Sequence, residues 1–401
     1  MPGVSASAVL DRTLRGSPGP LPASPRKPRV LQVITKLDLG GAESVAIDPI
    51  GALRDEVDFA VFAVMALDEP SRVGRDMAAR LAAWNVPFFA GTRGRFKSGG
   101  VVVAAAKLAR ASRRFGADVV HLHTEVPELT CAVATVLSPG FRRRAILRTV
   151  HNCELWIDWG GIGRWVTGRL ARGTAIAVSQ AAADADKAIV TRASRPRAEV
   201  VPNGVAPRPL GPPKANVSPF RLLFAARFVP AKGPDLLPAI LKAAHARTSR
   251  RDVEVTIAGT GPLEEDLRRG LAGVAPGWTI AIVPPIEQLG ARLGEWDGVL
   301  MPSRFEGLGL LAIEAFLAGV PLVATDAPGL DEVIAPDYPL RAAVDDVQSL
   351  GALVAAVIDE PERAAAWVAP LRDEMIGRFS SERMAAAYAA AYRSLVGPGH
   401  A

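Results

Sequence analysis

Short apolar runs alternate with amphipathic stretches along most of this chain. From Arg29 onward, VLQVIT, VDFAVFAV, ADVVHLH, AILRTVH, TAIAVS and AEVVP read as strands, with helical stretches between them, the first beginning at Ala42. Runs that are apolar throughout are buried on both faces, and their alternation with helices calls for parallel sheet and crossover helices. The proline-rich, aperiodic segment VAPRPLGPPKANVSP, at 205–219, breaks the pattern and reads as a linker. RLLFAA, VEVTIAG, WTIAIV, GVLMP and PLVAT then resume it. The expected fold class is α/β, as two doubly wound Rossmann-like domains facing an interdomain cleft. The expected divisions are a flexible tail at 1–28, a first domain at 29–205, a second at 206–378, and a C-terminal helix at 379–401 that crosses back to the first domain. That helix carries an apolar stripe behind a Ser cap in SSERMAAAYAAAYRSLV.

Length and composition agree with this picture. A chain of 401 residues is long for one core and suits two. With 49% hydrophobic and 22% charged residues it belongs with folded rather than disordered chains. The net charge of +6 hides an asymmetry: residues 1–200 hold 28 Lys and Arg against 18 Asp and Glu, and residues 201–401 hold 19 against 23. A basic first half suits an anionic lipid surface or a phosphorylated acceptor. Its cations lie on one helix face, at Lys107, Arg110 and Arg114, and in the cluster Arg142–Arg144. Nucleic acid is disfavoured, because aromatic residues are not interleaved with these cations.

The two cysteines, Cys131 and Cys153, are too few for a disulfide scaffold and match no metal spacing. No run reaches the ~18 apolar residues of a membrane helix, and the first residues lack the apolar core of a signal peptide. The expected location is the cytoplasm, with peripheral contact at the inner face of its membrane.

Open parallel sheets bind ligands beyond the carboxyl ends of their strands, and the candidate chemistry lies there. After GVLMP come Glu306, Gly307, Leu308, Gly309 and Leu310, then a helix carrying Glu314. Glycines admit a close ligand, and a helix start offers free N–H groups and partial positive charge. A glutamate inside LLAIEAFLAGV needs a ligand or a strong hydrogen bond. After RLLFAA, Arg227 and Lys232 place two cations beside a helix start, which suits a diphosphate. Gly40 and Gly41 form the equivalent turn of the first domain, and His151 closes one of its strands. Neither turn completes G-x-G-x-x-G, and the glycines of GTGP at 259–262 do not either, so a dinucleotide fingerprint is not met. His121 and His123 share a strand face and stand near Glu125, without an apparent fourth metal ligand. Asp184 and Asp186 read as helical surface. Taken singly, each of these features also fits a structural role.

Together they resemble glycosyltransferase family 4 over nearly all of residues 29–397. The shared features are Gly40-Gly41-Ala42-Glu43, a strand-end histidine at His151, VSQ at 178–180, VPNGV at 201–205, Arg227 spaced from Lys232-Gly233, GTGPL at 259–263, and the glutamates of PSRFEGLGLLAIEA. The resemblance implies the GT-B architecture and a retaining transfer of a sugar from a UDP- or GDP-linked donor to a hydroxyl acceptor. Polysaccharide, exopolysaccharide or glycolipid synthesis is the expected setting, and the acceptor a saccharide or lipid-linked.

In this resemblance Arg227 and Lys232 neutralise the diphosphate, Glu306 holds the donor sugar with the amides of Gly307–Leu310, and Glu314 binds the ribose. Gly40, Gly41 and Asn203 belong to the donor-binding set, Ile286 lies near the base, and His151 meets sugar or acceptor. No cofactor or metal is expected, since the cations take a metal's place. The sequence departs from the family after Glu332, where VIAPDYPL lacks a customary glycine turn, and at FSSER, where an aromatic residue commonly follows the first Ser. Two other functions compete, a sugar-nucleotide epimerase of similar shape and a non-catalytic sugar-nucleotide-binding partner.

Overall fold

The computed structural model describes residues 26–38, 41–69, 71–94, 96–189, 196–206 and 218–397. The N-terminal tail up to residue 25, Gly40, and the linker between 207 and 217 lie outside the described residues.

The first sheet contains β1 (Arg29–Ile34), β2 (Asp58–Met65), β3 (Phe88–Thr92), β4 (Val119–His123), β5 (Ala145–Val150), β6 (Thr174–Ala177) and β7 (Glu199–Val200). They stand in the order β3-β2-β1-β4-β5-β6-β7, every pair parallel. The second sheet contains β8 (Phe220–Ala225), β9 (Val253–Ala258), β10 (Thr279–Val283), β11 (Gly298–Met301), β12 (Leu322–Thr325) and β13 (Arg341–Ala342). Their order is β10-β9-β8-β11-β12-β13, again all parallel. The apolar runs of the sequence became these strands because sheets covered by helices on both faces leave no exposed side for polar residues. β3 and β13 did not stand out in the sequence. β3 is an outer strand with its first three residues partly exposed, and β13 has only two residues.

Each sheet reverses its winding once, between β1 and β4 and between β8 and β11. Turns leaving these strands open the crevice in which such sheets hold ligands. Residues 36–38 follow β1, 227–232 follow β8, and 303–309 follow β11.

The last helix, Ser381–Val396, packs on the first domain. Ser380 caps it, its Oγ accepting from the Arg383 N–H at 3.1 Å. Met384, Ala385, Tyr388, Ala389 and Tyr392 are buried in one core with Val30, Ile47, Phe59 and Val119. The Phe59 and Tyr392 rings meet edge to face at 6.0 Å. The two passages of chain between the domains also touch. The Val205 N–H donates to the Phe379 carbonyl at 2.8 Å, and Val205 bridges to Ser380.

The acidic pair read as helical surface is half misplaced. Asp184 pairs at 2.5 Å with Arg197 in the open, but Asp186 is buried and accepts from Arg148 Nη2 at 2.8 Å. Arg148, on β5, also donates from Nε to Glu128 at 2.8 Å. Burial lifts the Glu128 carboxyl above the usual range and the Arg148 guanidinium opposes it. Helix periodicity gave no sign of this, because it does not show that a neighbouring strand carries a buried arginine.

Candidate functional site

Lys232 lies in the turn Pro230–Lys232 after β8, and Glu306 in the turn after β11. The Lys232 ammonium donates to Glu306 Oε2 at 2.5 Å, and the Ser303 hydroxyl donates to Oε1 at 2.8 Å. Lys232 also reaches the Phe305 carbonyl at 3.5 Å. The side chains of Lys232 and Glu306 are 20% and 10% exposed, so the charge pair is largely shielded from water while one edge faces out.

Arg304, which the sequence did not single out, clamps the two turns. Its guanidinium grips Asp235 by two bonds at 2.8 and 2.9 Å, Asp345 at 2.7 Å and the Pro230 carbonyl at 2.8 Å, while its N–H donates to Ala231. Such a planar fork fixes geometry in a way a lysine cannot. Hydrogen bonding to Arg304 holds the Asp235 carboxyl below its usual range. The GTGP turn is tied in as well, since Phe228 donates to the Thr260 carbonyl at 2.8 Å and accepts from the Leu263 N–H at 3.1 Å. Arg227, one residue earlier, is exposed.

Gly309, in the left-handed conformation at φ +77°, starts the helix Leu310–Leu317. Leu308 is buried, and Glu314 is half-buried on that helix. Ile286 sits half-buried in the loop after β10, packed on the second domain's core. Asn203 sits in the crossover passage, where its neighbour Gly204 meets Met384 Sδ at 3.1 Å, and its own Oδ1 is buried without a partner among the described residues.

The first domain closes over this edge. A Cβ placed on Gly307 would lie 1.9 Å from the His151 carbonyl oxygen, so only glycine permits the approach. The Cys153 thiol donates to the Glu306 carbonyl at 2.9 Å, and burial pushes that thiol up to about 11, which keeps its proton in place. Gly41 differs. A Cβ there would meet Leu310 at 3.8 Å, an ordinary contact, so the protein itself does not demand glycine at this position.

Two first-domain carboxyls also sense the second domain. Burial raises both Glu43, in the first turn of the helix Gly41–Leu53, and Glu125, at the start of Glu125–Leu137. The Arg227 guanidinium works against the rise in each case.

His151, at the end of β5, is half-buried and its Nε2 lies 3.0 Å from His123 Nδ1. His123 continues to Gln32, and His121 is held by Tyr392 and Thr149. These partners occupy both ring nitrogens of His121 and of His123. Burial pushes His121 and His151 down to about 3 and His123 in the same direction, so all three rings are neutral near pH 7.

Lys232, Glu306, Gly307, His151 and Gly41 thus converge from four strand ends onto one cleft. A family model described as Glycosyltransferase Family 4 matches residues 39–209, and one described as Glycosyl transferases group 1 matches residues 219–360. This chain belongs to glycosyltransferase family 4. The glycosyltransferase is 27% identical over 359 residues to a glycogen synthase of Mycobacterium tuberculosis, spanning 84% of this chain and 81% of that protein. It is 31% identical over 165 residues, 39% of this chain and 43% of the relative, to the GDP-mannose-dependent monoacylated alpha-(1-6)-phosphatidylinositol monomannoside mannosyltransferase of Corynebacterium glutamicum.

Its fold matches HepE of Anabaena, crystallised with UDP and glucose, with a TM-score of 0.73 and 19% identity over 91% of this chain and 99% of that one. Family 4 membership and the GT-B fold make it an enzyme that takes its sugar from a nucleotide-sugar donor. The comparisons lend no support to an epimerase or a non-catalytic binding partner.

Proposed function

We propose that this glycosyltransferase moves a hexose, with retention of configuration, from a UDP- or GDP-linked donor to a hydroxyl of a saccharide or lipid-linked acceptor in polysaccharide or glycolipid synthesis. The observation that carries this is the Lys232–Glu306 contact of 2.5 Å, made between two strand-end turns, the second of which meets the His151 carbonyl through Gly307. Lys232 and Arg227 supply positive charge to the donor diphosphate. The Glu306 carboxylate, held on both oxygens by protein donors, takes a fixed place beside the sugar hydroxyls. Backbone amides from Gly307 to Leu310 assist, Glu314 takes the ribose hydroxyls, and Ile286 stands by the base. Gly40, Gly41 and Asn203 complete the donor-binding set.

In the reaction the bond from the anomeric carbon to the β-phosphate oxygen breaks. The acceptor oxygen bonds to that carbon on the same face, and its proton passes to a phosphate oxygen. Negative charge grows on the diphosphate as the bond breaks, and a cation already in place lowers the barrier. The Anabaena structure with UDP and the GDP-mannose-dependent relative keep both bases in the proposal.

Lys232→Ala tests it, with turnover falling about 100-fold or more while the protein stays folded. Near-normal turnover would remove Lys232 from the site. The anomeric configuration of the product, read by NMR, tests retention, and thermal shift with UDP, GDP and ADP selects the base.

Contact with the inner membrane face belongs to the same proposal. Ile162 and Trp165 project from the helix Ile162–Arg169 at 45% and 46% exposure. Arg169 ties that helix to Thr135, next to exposed Val136 and Leu137. Exposed Arg164 lies on the same helix, and exposed Arg142, Arg143 and Arg172 lie on the neighbouring segments. Apolar side chains beside cations suit an anionic lipid surface. Of the basic helix face read from the sequence, Lys107 turns back to donate to the Gly91 carbonyl at 2.7 Å, which leaves Arg110 and Arg114. No helix among the described residues is long and apolar enough to cross a membrane.

A further inference from the structure

A chain of buried hydrogen bonds runs from the C-terminal helix to the cleft. Gln32 on β1 stands in register with His121 on β4, and His123 on β4 with Thr149 on β5, so all four side chains share one sheet face. The helix Ser381–Val396 covers that face and presents Tyr388 and Tyr392, one turn apart. Gln32, His121, His123, Thr149, Tyr388 and Tyr392 are each 1% exposed or less. Gln32 Nε2 donates to the Tyr392 hydroxyl at 3.0 Å, and Gln32 Oε1 lies 2.8 Å from His123 Nε2. The Tyr392 hydroxyl is 2.9 Å from His121 Nδ1, and His121 Nε2 is 2.7 Å from Thr149 Oγ1.

The chain has a sense. A carboxamide oxygen only accepts, so His123 carries its proton on Nε2. The ring is neutral, which leaves Nδ1 of His123 as an acceptor. The atom facing it, His151 Nε2, must then be the donor. Nδ1 of His151 is left with its lone pair. The Tyr392 hydroxyl, accepting from Gln32, donates a hydrogen bond to His121 Nδ1 and closes the other branch.

We propose that Gln32 and Tyr392 are positioning residues that set the tautomer of His151, so that the ring offers its cleft an acceptor at Nδ1 rather than a donor. The consequence for chemistry rests on the reading of His151 as a sugar- or acceptor-facing residue: such a nitrogen receives a hydroxyl proton in a hydrogen bond and cannot donate to a phosphate or ring oxygen. The tautomer itself does not depend on that reading. The helix from the far end of the chain thereby acts on the site without touching it.

The test is nitrogen-15 NMR of the imidazole rings in the full-length protein at neutral pH, together with steady-state kinetics. In the wild type His151 is expected in the Nε2–H form. Gln32→Leu removes the acceptor of His123 Nε2. It should leave His151 as a mixture of tautomers and lower kcat about tenfold, the factor carried by one hydrogen bond's preference, with donor KM little changed. Tyr392→Phe keeps the packing, frees the Gln32 amide to turn, and should move the His151 ring signals in the same direction; it serves if Gln32→Leu does not fold.

A wild-type His151 protonated on Nδ1 overturns the proposal, as do ring signals unmoved in both variants. If the tautomer holds but His151→Ala turns over normally, the chain of bonds stands and the reading of His151 at the substrate fails.

Discussion

The Glu332 carboxylate of the second domain receives two backbone N–H groups of the first, Gln180 at 2.8 Å and Ala181 at 2.9 Å. Gln180 opens the helix Gln180–Ile189, so this carboxylate sits where the free N–H groups and partial positive charge of the helix collect. It is an N-cap supplied across the cleft, and it holds the domains in the closed arrangement that puts Gly307 on His151.

Removing that carboxylate with Glu332→Ala should loosen closure. Charge-assisted hydrogen bonds contribute about 1.5–3 kcal/mol each when buried and less at a partly exposed edge. A fall in kcat/KM of about tenfold is expected, with a larger radius of gyration in small-angle scattering. Scattering and kinetics both equal to wild type would remove Glu332 as a latch.

Gly307 and Gly41 should respond differently to one methyl group. In Gly307→Ala the new carbon would overlap the His151 carbonyl, so closure as seen here becomes impossible and kcat/KM should fall about 100-fold or more. Gly41→Ala meets only an ordinary contact within the protein. If Gly41→Ala keeps its melting temperature yet loses donor affinity, the bound donor is what requires the space. A fully active Gly41→Ala enzyme would take Gly41 out of the donor site.

The buried histidines should make stability climb with pH through the acid range. His121 and His151 titrate near 3 in the folded protein and near 6.5 when free, and His123 is depressed in the same direction. Between those values the unfolded chain binds more protons, so stability is lost as pH falls through the window and fully present above about 6.5. The raised carboxyls of Glu43, Glu125 and Glu128 act oppositely, giving stability that is lost as pH rises above 4.5. His151→Asn separates the two effects: denaturant titrations from pH 4 to 7 should show a slope reduced by about one proton relative to wild type. An unchanged slope would mean that His151 titrates alike folded and unfolded.

Vesicle binding should need both the cations and the apolar projection. Co-sedimentation with anionic vesicles at low salt is expected for the wild type, reduced severalfold in Trp165→Ser and abolished by high salt. Equal binding to neutral vesicles, or none to anionic ones, would sink the membrane contact.

Much of the architecture could be read in advance. Parallel strands covered on both faces carry apolar side chains throughout, so the sequence displayed nearly all of them and missed only partly exposed β3 and two-residue β13. Strand ends were visible for the same reason, and with them the turns bearing Arg227, Lys232, Glu306 and His151. The resemblance to family 4 then gave those turns a common purpose as an expectation, and the family matches show the membership itself.

What the residues touch was decided elsewhere. Lys232 and Glu306 are 74 positions apart, and Gln32 and Tyr392 are 360 apart. No periodicity spans such distances. The Arg304 clamp, the Glu332 cap and the Asp186 ion pair look like ordinary charged residues in the sequence, because a charge carries no local mark of its partner. Strand and helix follow from side-chain patterns a few residues long. The Lys232–Glu306 pair, the fit of Gly307 on His151, and the hydrogen-bonded path from Tyr392 exist only once two sheets and a returning helix have docked.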